Sequence, residues 1–151
     1  MLAGGFAAGT LDIVYACLFW KLKLAVSPQQ IFQSVAAGLL GPVSFEGGWA
    51  TAAMGLLLHY FIAGSIAAMY YLVARRWALL WRWPLLSGAA YGLLLYAVMN
   101  YVVVPLSAAR PGSKDPLWIS LTVLVHMGLI GIPCALVARR AIRGRWILSE
   151  P

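Results

Sequence analysis

The chain alternates four long apolar runs, residues 2–20, 49–73, 84–106 and 116–138, with short polar or basic stretches. The second run is the clearest. WATAAMGLLLHYFIAGSIAAMYYLV has 25 residues and no formal charge, and Arg75 and Arg76 close it. At about 1.5 Å per residue, a helix of that length exceeds the roughly 30 Å of a bilayer core. The other three runs read the same way. The pattern predicts an all-α polytopic membrane protein with four transmembrane helices.

Each run carries small or polar residues at helical spacing. Gly5 and Gly9 form a G-x-x-x-G pair whose row continues to Asp12 and Ala16, a face on which another helix can approach closely. No Lys or Arg precedes this first run and Asp12 interrupts it, which argues against a cleaved signal peptide. Gly88, Gly92, Tyr96 and Asn100 form a similar row in the third run. Pro105 cannot donate to the carbonyl of Tyr101, so the end of that helix is expected to kink or unwind. The fourth run contains Thr122, His126, Gly128, Gly131 and Pro133 and is expected to end at Arg139 and Arg140.

Residues 28–40 are too polar to cross a membrane. Ser27 at the N-cap, Pro28 at the first helical position and Gln30 at the third spell a capping box, and Val26 with Ile31 fits a hydrophobic staple. Ile31, Phe32, Val35 and Leu39 share one face, with Gln29, Gln33 and Ser34 off it, and Gly41-Pro42 stops the helix. This predicts a short interfacial amphipathic helix, with a surface helix packed over the bundle end as the alternative.

Composition agrees. Of the 151 residues, 63% are hydrophobic and 10% charged, against about 45–50% and 25% in a soluble domain. A single membrane domain over residues 1–151 follows. The formal net charge of +7 lies in residues flanking the apolar runs. Anionic lipid headgroups account for it and nucleic acid is not implied. The expected partners are bilayer lipids, with a second copy or a larger membrane complex as further candidates. Seven arginines (75, 76, 82, 139, 140, 143 and 145) flank one side, against Lys21, Lys23, Arg110 and Lys114 on the other. The asymmetry places both termini in the cytoplasm. Cys17 and Cys134 fall near opposite membrane faces and are expected to be free thiols.

With each run centred in the bilayer, Asp12 lies about 1.5 Å, His59 about 3 Å, His126 about 1.5 Å and Asn100 about 7–8 Å from the midplane, all on the same side. Ionisable groups at that depth are costly unless paired or wetted. Asp12, His59 and His126 come from three helices at nearly one level. They are the candidate proton or ion site, with Asn100 and Glu46 toward the outer mouth. The plain alternative is hydrogen-bonded glue between helices, as in a structural or accessory subunit. A further alternative is a bis-histidine haem b on His59 and His126; otherwise no cofactor is expected. No nucleophile elbow, H-E-x-x-H, metal-spaced Cys/His cluster or phosphate loop is present, so the sequence offers no catalytic residue.

Four short stretches carry a family resemblance: Gly9-Thr10-Leu11-Asp12, Phe45-Glu46-Gly47-Gly48, Leu58-His59-Tyr60-Phe61, and Met99-Asn100 followed by Pro105-Leu106. Together they resemble a group of small four-helix bacterial inner-membrane proteins of no assigned activity. More distantly the chain is similar to the YagU-like membrane proteins, a family associated with acid tolerance. The resemblance implies four spans and a bacterial inner-membrane address, and brings no catalytic residue with it.

Overall fold

The structure, a computed structural model, describes residues 2–147; Met1 and the tail from 148 to 151 lie outside it. The helices are α1 (Leu2–Leu24), α2 (Pro28–Leu40), α3 (Gly48–Ala74), α4 (Ala78–Arg82), α5 (Pro84–Leu106) and α6 (Pro116–Gly144, running on to Ile147). Four of them, α1, α3, α5 and α6, are long and apolar enough to cross a membrane. Their outer faces present Leu57, Phe61, Leu94 and Leu124 without cover, which suits a lipid environment and not water. Successive spans reverse direction. The bundle therefore has a terminal end, with both chain ends and α4, and a loop end, with α2 and residues 41–47 and 107–115.

Two boundaries differ from expectation. α1 continues past Trp20 through Lys21 and Lys23 to Leu24. Lysine is a good helix former and its stem can bring the charge to the interface. The helix stops where Ala25 turns left-handed, φ 54°. α6 does not end at Arg139 and Arg140 but runs on to Ile147, since arginines mark a membrane boundary without breaking a helix.

The spans meet where side chains are smallest. α1 lies on α3 through the predicted row: a Cβ on Gly5 would stand 3.0 Å from the Gly64 Cα, and one on Gly9 would stand 2.9 Å from the Ala63 Cβ. α5 lies on α6 through Gly88 and Gly92. A Cβ on Gly88 would meet the Ile132 Cα at 2.7 Å, and one on Gly92 would overlap the His126 carbonyl. Gly131 completes that crossing from the α6 side. Close backbone contact supplies the dispersion energy that holds helices together where lipid removes the hydrophobic drive.

The terminal half is sealed. Ala67, Tyr70 and Ala74 of α3 are buried with Cys134, Ala135 and Ala138 of α6. Tyr70 donates to the Leu80 carbonyl at 3.1 Å and pairs with the Ser87 hydroxyl at 2.8 Å, tying α4 and α5 to α3. Tyr91 donates to the Ile66 carbonyl at 2.9 Å. Cys17 and Cys134 are both free thiols.

α2 has the predicted capping box, with Ser27 and Gln30 bonded in both directions. Its buried face includes Ile31 of the predicted face and adds residues placed off it. Gln33, placed off the apolar face by the sequence pattern, is 2% exposed and donates to the Gly48 carbonyl at 2.9 Å and to the Thr51 hydroxyl at 3.3 Å. Ala36 and Ala37 are buried beside it, whereas Leu39 is 65% exposed. Small residues let the α2 backbone press on Gly55 of α3, where a Cβ would strike the Phe32 carbonyl. α2 is thus packed over the loop end of the bundle, with Ile31 buried and Leu39 and Leu40 left exposed.

Candidate functional site

Beneath α2, between α1, α3, α5 and α6, lies a cavity of about 250 Å³. Asp12, His59, Asn100 and His126 all line it. The alignment in depth read from the sequence therefore corresponds to a shared space. Glu46 is not part of it: it is exposed in the turn between residues 41–45 and α3.

His59 is positioned by the close α1–α3 contact. Gly9 has no side chain to hold the helices apart, and the His59 Nε2 reaches the Gly9 carbonyl at 2.8 Å. A carbonyl only accepts, so Nε2 carries the hydrogen and Nδ1 of the neutral ring keeps a free lone pair. His126 is arranged in the opposite sense. Its Nδ1 donates to the Thr122 carbonyl of its own helix at 2.9 Å, which leaves Nε2 as the basic nitrogen. Each imidazole therefore has one nitrogen anchored to the backbone and one without a hydrogen-bond partner among the described residues.

Asp12 differs. Among the described residues no hydrogen bond or ion pair reaches its carboxylate. No direct hydrogen bond joins Asp12 to either histidine. Instead the carboxylate and both imidazoles face one space with room for several waters. The His59–Gly9 bond is interhelical glue of the kind the plain reading describes. Asp12 ties no helix to another, so glue does not account for it.

Two turns of π-helix border the cavity. One spans Met99–Val103 in α5 and the other His126–Gly131 in α6. The Val104 N–H bonds back five residues to the Met99 carbonyl, and the Ile132 N–H does the same to Met127. The helix then resumes and carries Pro105, so the predicted disruption lies just before the proline. In each π turn a side chain serves the carbonyl four residues earlier: Asn100 on Tyr96 at 2.9 Å, and His126 on Thr122. Such turns widen a helix locally and recur at functional sites.

The wall of α6 includes a group that sequence reading missed. Trp118 stacks on Tyr15 at 5.5 Å and lies 4.9 Å from Phe19 and 5.0 Å from Trp20. Tyr15 in turn meets the Thr122 hydroxyl at 3.3 Å. These aromatic residues form a cluster between α1 and α6. The ion pair of Lys23 with Asp115 closes the same seam at the loop end. Asp115 also caps α6, accepting from the Leu117 N–H at 3.0 Å.

A second, wider space of about 520 Å³ opens above, between α2 and residues 109–113. Asn100 and Trp118 line both spaces and form the partition between them.

The cavity wall brings one carboxyl and two imidazoles together with Asn100. The 250 Å³ cavity is below the roughly 300 Å³ of even a small drug-sized site. Among the described residues no three His, Cys, Asp or Glu side chains converge as metal ligands. Fold and composition together define an integral, multi-pass helical membrane protein. No protein-family model, curated protein sequence or solved structure matches the chain.

Proposed function

We propose that the protein is a proton-responsive protein of the bacterial inner membrane, with Asp12, His59 and His126 as its titrating groups and both termini in the cytoplasm. The observation that carries the reading is the unpartnered Asp12 carboxylate facing a cavity shared with two anchored imidazoles. A carboxylate and two imidazoles around one small space titrate as a coupled set, so each proton bound changes the affinity for the next. Such sets mark proton pathways in membrane proteins. The arginine asymmetry supports the orientation, and the resemblance to small bacterial inner-membrane proteins supports the address.

The test compares Asp12→Asn with wild type, a change that keeps shape and removes the titration. Purified protein in liposomes under an imposed pH gradient is expected to take up protons faster than the variant, with helix content equal in both. Equal uptake, including none in either, refutes the proposal and leaves a structural or accessory subunit.

A further inference from the structure

We propose that the outer vestibule is a binding site for an amphipathic anion, a carboxylate or phosphate carried on an apolar body, with Arg110 as its charged anchor. Among the described residues lining this 520 Å³ space, Arg110 is the one with a formal charge. The nearby acids do not neutralise it. Asp115 is engaged by Lys23, and Glu46 is not in the vestibule wall. No described side chain pairs with the Arg110 guanidinium.

Two neutral groups in the wall, Gln30 and Ser113, are left as donors, beside the acceptor oxygens of Ser34 and Asn100, which donate in turn to the Ile31 and Tyr96 carbonyls. The Gln30 Oε1 is taken by the Ser27 N–H at 3.0 Å and the Ser27 hydroxyl at 3.2 Å, which leaves the Gln30 amide N–H groups without a protein acceptor. The Ser113 oxygen accepts from the Asp115 N–H at 3.2 Å, so its hydroxyl hydrogen is free to donate. The unpaired Arg110 guanidinium, with an amide donor and a hydroxyl donor in the same wall, calls for a negative ligand with acceptor oxygens. The remaining wall is apolar and aromatic, with Trp20, Phe45 and Trp118. A bare inorganic ion would leave those faces unused, whereas an anion with an alkyl or aromatic body covers them.

A lipid phosphate and a soluble organic acid share this chemistry, and the experiment has one arm for each. In nanodiscs of phosphatidylcholine, octanoate is titrated into the full-length protein by calorimetry, with octylammonium as the opposite-charge control. In nanodiscs of phosphatidylglycerol, lipid retained by the released protein is read by native mass spectrometry. Arg110 is on an exposed loop, so Arg110→Gln is expected to keep the fold, checked by circular dichroism. Octanoate binding at least tenfold weaker in Arg110→Gln, with octylammonium not binding, identifies a soluble acid as the ligand class. Phosphatidylglycerol retained by wild type and lost by the variant identifies the lipid. Arg110-independent results in both arms, or octylammonium binding as well as octanoate, overturn the proposal. The vestibule does not depend on the titration of Asp12. Asp12→Asn is expected to bind the probe as wild type does, so this test and the proton-uptake test fail separately.

Discussion

The crossing of α5 and α6 offers a sharp test of how the bundle is held. In Gly92→Ala the added methyl would stand 2.6 Å from the Met127 Cα and overlap the carbonyl of His126. Carbon atoms prefer about 3.5–4.0 Å. Both obstacles are backbone, so no rotamer change relieves the clash and the helices must part by about 1 Å. A gap of that size forfeits a quarter to a half of each contact well along the crossing. Overpacked sites typically cost about 1–3 kcal/mol. We expect a loss of about 2 kcal/mol, which for a chain of this size lowers the thermal midpoint by about 4–8 °C. Gly64→Ala is the paired control. Nothing lies within 4 Å of its added methyl, and alanine gains up to about 1 kcal/mol in helix propensity. Circular dichroism melts in one detergent compare the three proteins. A Gly92→Ala midpoint equal to wild type, or a Gly64→Ala midpoint that falls as far, would refute close backbone packing as the source of stability.

Gln33→Ala removes a buried amide that holds α2 to the start of α3, and should cost about 1–3 kcal/mol in the same melts; an unchanged midpoint counts against the packed position of α2. A cysteine at Leu79, which is 68% exposed on α4, should react with an impermeant thiol reagent only from the cytoplasmic side, in a background lacking Cys17. Labelling from the opposite side reverses the proposed orientation.

The spans were legible because a bilayer demands long uncharged runs, and few other structures use them. The small-residue rows were legible for a similar reason: Gly5, Gly9, Gly88 and Gly92 recur at helical spacing, and each meets a neighbouring helix. Depth could be counted along each helix, and so Asp12, His59, Asn100 and His126 came out around one space. Helix rotation could not be counted. Nothing in the sequence says that Nε2 of His59 faces Gly9, or that Trp118 turns inward onto Tyr15. Gln33 was misplaced because a water-based rule, apolar inside and polar outside, was applied to a helix whose outside is lipid. The π turn near Asn100 had a signal in Pro105, whereas the one at His126 had none. The Lys23–Asp115 pair joins positions far apart in sequence, and no local pattern links them.

The cavity also imposes an order on the making of the protein. Its first wall carries Asp12 and its last carries His126. At about 5–20 residues per second, ribosomal synthesis separates the two by about 6–23 s. During that interval α1, the least apolar of the four spans, must hold a carboxylate in the membrane without its full set of neighbours. A carboxylate at mid-span costs about 2.5–3.5 kcal/mol on insertion scales. The first neighbour with a cavity histidine to arrive is α3, which brings Ala63 and Gly64 onto Gly5 and Gly9 and delivers His59 to the Gly9 carbonyl.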